Sequence, residues 1–116
     1  MFYMVCVIGN SEKWKRRTRT IQQTRDPRWN QSFVFAPIRL SEVRSRILQG
    51  SVWDCDRSGN TEYLGETSIE LSTNPLDDEP EWHFLIWDVS HSLIIALFCL
   101  INLTRLFCIS ILSLHW

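Results

Sequence analysis

At 116 residues the chain has the length of one domain. Its 12 basic and 13 acidic residues leave a formal net charge of −1, which removes any chain-wide electrostatic bias towards nucleic acid or membrane. The distribution is uneven, since only Arg105 among the charged residues lies beyond Asp88, so a polar body precedes an apolar tail.

In chain order, the first element is Phe2–Ile8, a short run of aromatic, β-branched and other apolar residues ended by Gly9-Asn10, a turn signal. It carries no basic leader and no small-residue cleavage site, so it reads as a buried strand rather than a signal peptide. Residues 13–22, KWKRRTRTIQ, form a basic segment in which Thr18, Thr20 and Ile21 favour a strand; Asp26-Pro27 breaks it. Residues 32–35 are a third strand, and residues 40–46, LSEVRSR, one or two helical turns. Residues 47–53, 63–71 and 82–86 complete a set of six strands, the last two separated by the turn-rich STNPLDDEP of residues 72–80. Short strands at this spacing predict an all-β antiparallel sandwich.

The segment VWDCDRSGNTEYLG, residues 52–65, places Asp54 and Asp56 two apart on a strand, hence on one face, with Glu62 beyond the Ser58-Gly59-Asn60 turn. Hard cations such as calcium take clusters of oxygens of this kind, but six to eight of them. The same residues also make an ordinary solvated turn. Cys6, Cys55, Cys99 and Cys108 form no CxxC pair and have no histidine at ligand spacing, which removes the common zinc patterns and suits a reducing, cytosolic setting. His83, His91 and His115 have no catalytic partner at a recognisable spacing, and no serine sits in a G-x-S-x-G elbow. Trp14, Trp29, Trp53 and Trp82 recur at no regular interval and read as packing residues at strand ends rather than a platform for bases.

Three segments in order, KWKRRTRT, DPRWNQSFVF and VWDCDRSGNTEYLG, resemble a C2 domain over residues 2–88. More narrowly, residues 11–35 together with LDDEPEWHFL (residues 76–85) are similar to the first C2 domain of the Rab-interacting molecules, the regulating synaptic membrane exocytosis family, and of piccolo. The resemblance implies a partial C2-type β-sandwich whose first two strands are missing. It matches Asp54 and Asp56 to the paired acids of the third calcium loop, and Glu62 to a position where many members carry Asp. The remaining family ligands lie on a first loop ahead of the strand matched by Phe2–Ile8, so only half a calcium cage is expected, with no bound cofactor or at most weak calcium. Three acids without their partners would repel by ~4 kcal/mol per close pair at an effective dielectric near 20.

The resemblance shifts the functional weight to Lys13, Lys15, Arg16, Arg17 and Arg19. In the family a polybasic strand faces acidic phospholipids, phosphoinositide headgroups or acidic protein partners. Each cation near an anionic leaflet contributes roughly 1 kcal/mol, although a charged edge strand also serves simply to prevent sheet-to-sheet association. The expected function is a non-enzymatic membrane- and protein-interaction module, cytoplasmic and peripheral to the membrane. By resemblance it partners exocytosis proteins at the presynaptic active zone, and it does not bind nucleic acid.

The tail has two other readings. Residues 93–114 hold 17 apolar residues in 22, about the length of a helical membrane span, even though Arg105 costs ~2.5–3.5 kcal/mol at its centre. The alternative function is therefore a tail-anchored membrane protein with a basic cytosolic face, and the Asn102-Leu103-Thr104 sequon inside that span is accidental. Val89-Ser90 is also how a GTAAGT or GTGAGT splice donor translates, so residues 89–116 read better as intron read-through than as an anchor or a core helix. Either way the sequence divides into residues 1–88, a truncated C2 domain, and residues 89–116, an apolar helical tail.

Overall fold

The computed structural model describes residues 1–9, 12–22, 27–77, 79–85, 93–101 and 107–115. Asp26, Val89, Ser90, His91, Arg105 and the sequon at residues 102–104, each used in the sequence reading, lie outside these. The strands are β1 (Phe2–Ile8), β2 (Lys15–Arg17), β3 (Arg28–Phe35), β4 (Ile47–Cys55), β5 (Thr61–Glu70), β6 (Glu81–Leu85), β7 (Leu93–Ile101) and β8 (Phe107–His115), with one short helix, α1 (Leu40–Arg44).

Alternation along β1 sets the first sheet. Phe2, Met4, Cys6 and Ile8 are buried while Val5 and Val7 are half-buried, as expected of a strand with one face on a core. β1 pairs antiparallel with β2 on one side and β4 on the other, and β4 pairs with β5, giving the order β2-β1-β4-β5. The second sheet has the order β3-β8-β7-β6, again antiparallel throughout. Trp29 and Phe35 of β3 and Ile109 and Ile111 of β8 join Phe2, Met4, Ile8, Leu48 and Val52 in one buried cluster between the sheets.

The basic segment is less regular than its sequence predicts. Glu12–Trp14 is a turn of 3₁₀ helix that buries Trp14, and only Lys15–Arg17 is strand. The ladder stops because Thr18 takes over: its N–H donates to Met4 O, and its Oγ1 accepts the Met4 N–H, both at 2.8 Å. Ile21 then exchanges two backbone hydrogen bonds with Phe2, so the segment stays beside β1 without being a continuous strand.

The tail is the main departure from expectation, because it is two strands and not a helix. Period-two and period-3.6 patterns cannot be told apart where nearly every residue is apolar. The Ile- and Phe-rich composition of LIIALFCLI and FCISILSLH favours the extended form, and β3 and β6 offer edges for it to pair with. β8 takes β3 at Phe33↔Ile109 and Phe35↔Phe107, and β7 takes β6 at Trp82↔Ala96 and Phe84↔Ile94. Among the described residues no helix is long and apolar enough to cross a membrane.

Burial of Ile111 is complete, so Ile111→Ala is expected to lower the unfolding free energy by about 2–5 kcal/mol. Trp82→Ala, at a side chain 56% exposed, should change it by about 0.5 kcal/mol or less. Urea denaturation of the two variants checks this, and an unchanged midpoint for Ile111→Ala would place β8 outside the cooperative fold.

Candidate functional site

Residues directly opposite one another in an antiparallel pair share a face, so the register of the first sheet defines its outer surface. One row runs Lys15, Val7, Gln49, Ser68, and the next Arg17, Val5, Ser51, Glu66. A third brings Tyr3, Trp53 and Tyr63 together across β1, β4 and β5. Val5 and Val7 alternate with the buried Met4 and Cys6, so these rows face away from the core.

The aromatic row is continuous with the basic edge. The Arg17 guanidinium carbon lies 3.8 Å from the centroid of the Tyr3 ring. Tyr3 stacks on Trp53 at 6.4 Å and 8°, and Trp53 meets Tyr63 edge-on at 5.2 Å. Trp53 Nε1 donates to Ser51 Oγ at 2.9 Å, which fixes the indole plane. Burial, with the Glu66 carboxylate beside it, raises the Tyr63 phenol above its ordinary pKa.

The five basic residues have separate placements. Lys15 and Arg17 are exposed on the outer face of the edge strand β2. Lys15 Nζ is 3.7 Å from Glu12, a solvent-exposed pair of small energetic weight. Arg16 pairs with the buried Cys6 on the opposite face. Its guanidinium lies 4.6 Å over Phe35, and Nη1 donates to the carbonyls of Lys13 and Lys15. Lys13 Nζ sits 4.9 Å over the Trp14 ring. Arg19 is tied to β3: its guanidinium donates to Trp29 O, its N–H to Gln31 Oε1, and its carbonyl accepts Trp29 Nε1–H. The structure thus brings Lys15 and Arg17 together with Tyr3 and Trp53, while the side chains of Arg16 and Arg19 hold the two sheets in place.

The acidic loop lies at the end of β4 and β5. Asp54 and Glu62 are cross-strand partners, and with Asp56, Arg57, Met1 and Gln22 they line an open groove of about 570 Å³. Asp56 Oδ1 accepts from Ser58 N–H at 2.9 Å, Ser58 Oγ at 2.7 Å and Asn60 N–H at 2.9 Å. These bonds, the Ser58 hydroxyl foremost, hold its pKa below the ordinary carboxylate value against a smaller opposing effect of burial. Asp54 Oδ1 is 3.0 Å from the Met1 ammonium. Among the described residues no three His, Cys, Asp or Glu side chains come together so as to hold a metal. One oxygen of Asp56 is engaged in closing its own turn, so Asp54, Asp56 and Glu62 by themselves offer fewer than the six to eight oxygens that calcium takes.

Calcium titration followed by the amide signals of Ser58 and Asn60 is accordingly expected to saturate only in the millimolar range or above, as for a poorly organised site. Saturation at micromolar calcium would contradict the geometry.

Sequence reasoning overlooked Tyr3, Trp53 and Tyr63 as parts of a surface. The available signal was the alternation in FYMVCVI, which puts Tyr3 on the face of Val5 and Val7. Reading all four central tryptophans as packing residues holds for the buried Trp14 and Trp29, but not for half-buried Trp53 or exposed Trp82.

The sequence profile of the C2 domain matches residues 1–85. The chain is 47% identical over 77 residues to human regulating synaptic membrane exocytosis protein 2, an alignment covering 65% of this chain and 6% of that protein. It is 38% identical over 81 residues to human protein piccolo, covering 68% of this chain and 2% of that one. The crystal structure of a RIM C2 domain from Drosophila superposes with a TM-score of 0.67 at 38% identity, covering 73% of this chain and 69% of that one. The chain therefore spans only a small fraction of the full-length relatives.

Proposed function

The chain belongs to the C2 domain family, and from that premise we propose that it is a non-enzymatic module docking peripherally on acidic phospholipid surfaces through the outer face of β2-β1-β4-β5. The observation that carries this reading is the placement of Lys15 and Arg17 on one face of an edge strand, beside the aromatic row Tyr3, Trp53 and Tyr63. Cations two residues apart on a strand reach the same plane, where each adds roughly 1 kcal/mol of attraction to an anionic leaflet, fading within a Debye length. Flat aromatic rings with polar tips suit the boundary between headgroups and water. Phosphoinositides, with several phosphates on one headgroup, are the acidic lipids this spacing favours. Docking does not call on calcium, since Asp54, Asp56 and Glu62 are not arranged to hold it. The names of the relatives, regulating synaptic membrane exocytosis protein 2 and piccolo, support a setting at membranes engaged in exocytosis, where the same face would meet exocytosis or active-zone proteins after docking.

Co-sedimentation with vesicles containing phosphatidylserine and phosphatidylinositol 4,5-bisphosphate tests the reading. Replacing Lys15 and Arg17 together by Ala should cost about 2 kcal/mol, roughly thirtyfold in affinity, and added salt should weaken the wild type most. Arg16→Ala should instead lower stability by about 1 kcal/mol and leave vesicle binding by the folded protein largely intact. Equal binding by wild type and the double variant would refute the assignment.

A further inference from the structure

On the outer face of the first sheet the cations and the carboxylates lie at opposite edges. Lys15 and Arg17 are exposed on β2, and Glu66 and Glu70 are exposed on β5, at the far side of the order β2-β1-β4-β5. Between them, β1 and β4 present Val5, Val7, Gln49 and Ser51, none of them charged. One row reads Arg17, Val5, Ser51, Glu66, with a cation at one end and a carboxylate at the other. Arg17 covers the Tyr3 ring, and the Glu66 carboxylate lies beside the Tyr63 phenol. Among the described residues neither Arg17, Glu66 nor Glu70 forms an ion pair.

A face with this charge pattern is complementary to itself. Two copies packed face to face, about 10 Å apart as sheets pack, are related by a twofold axis lying in the plane between them. An axis running across the strands sets β2 over β2 and β5 over β5, so that like charges meet. An axis running along the strands, between β1 and β4, sets each β2 over the β5 of the second copy and keeps every row opposite its own copy. Arg17 then faces Glu66 of the second copy at both ends of one row. Lys15 faces Ser68, which has Glu66 and Glu70 two residues to either side on the same face.

We propose that this face pairs with a second copy of the chain about the axis parallel to the strands, through two reciprocal contacts between Arg17 and Glu66. Four strands by four rows offer on the order of 500 Å² per copy, less than the ~800 Å² per partner of a stable complex, so the pair is weak, reversible and salt-sensitive. The same side chains cannot face a leaflet and a second copy at once, so pairing covers the face until a membrane displaces it. Pairing does not rest on vesicle docking, and either can fail without the other.

Sedimentation equilibrium of the full chain at low ionic strength, without lipid, provides the test. A dimer that grows with concentration and dissociates as salt is raised is expected. Arg17→Glu alone and Glu66→Arg alone each place like charges at both exposed contacts and should weaken the dimer roughly tenfold or more. An equimolar mixture of the two variants puts opposite charges back at both contacts and should restore it, a recovery that misfolded variants could not imitate. Glu66→Arg should also strengthen co-sedimentation with acidic vesicles, because it adds a cation to the face, and this separates loss of pairing from loss of docking. A wild-type chain that stays monomeric up to millimolar concentration, single variants that dimerise as tightly as wild type, or folded variants that do not recover on mixing would each overturn the proposal.

Discussion

The two-faced alternation of β1 is the constraint on which the rest of the molecule depends. Phe2, Met4, Cys6 and Ile8 are buried towards the core, and Tyr3, Val5 and Val7 occupy the other face. Its neighbours inherit that choice, because register ties Lys15 and Arg17 to Val7 and Val5, and Trp53 to Tyr3. Shifting β1 by one residue would exchange the two sets, turning Tyr3, now buried beneath Arg17 on the outer face, into the core and moving Met4 out of it. The apolar demand of the core therefore decides which cations reach solvent together, and the candidate surface is a consequence of packing rather than an addition to it.

Charge count alone does not separate the acidic and basic clusters. Asp54, Asp56 and Glu62 gather at one loop, but the hydrogen bonds of Asp56 run to Ser58 and Asn60 inside that loop. Its carboxylate stabilises a turn and has less to offer a ligand. Among the five cations the same distinction appears within one segment. Arg16 and Arg19 donate to backbone carbonyls, and Arg16 also covers the Phe35 ring, whereas among the described residues Lys15 meets an exposed Glu12 and Arg17 the outer face of Tyr3. A side chain whose donors are already spent on its own fold cannot attract a membrane as strongly as one whose donors face water.

Much of this is legible in the sequence. Phe2–Ile8 and the strands at residues 47–53 and 63–71 follow from alternation bounded by turn residues, and they fall within one or two residues of β1, β4 and β5. The family resemblance is legible because DPRWNQSFVF and the acidic loop keep their order and spacing. Two features are not. The split of residues 13–22 into a 3₁₀ turn and a three-residue strand depends on the Thr18 hydroxyl replacing a ladder bond to Met4, a long-range contact that local propensity does not encode. The tail reads as helix because LIIALFCLI has no polar residue from which to take a period; its strand form is decided by the edges of β3 and β6, which exist only once the rest has folded. The close approach of the Arg46 guanidinium to Gly9 is equally hidden, since a Cβ there would lie 2.9 Å from Arg46 Nη1 and the two are far apart in sequence.

The central claim is that the outer face of β2-β1-β4-β5 meets an acidic membrane. Methyl-resolved NMR with acidic bicelles carrying a paramagnetic headgroup lipid tests it most directly. The account predicts selective broadening of the Val5 and Val7 methyl signals, with Met4, buried on the other side of the same strand, and Val34, exposed on the second sheet, left sharp. Broadening of Val34 in preference to Val5 and Val7 would show that the membrane meets the other sheet and would contradict the account.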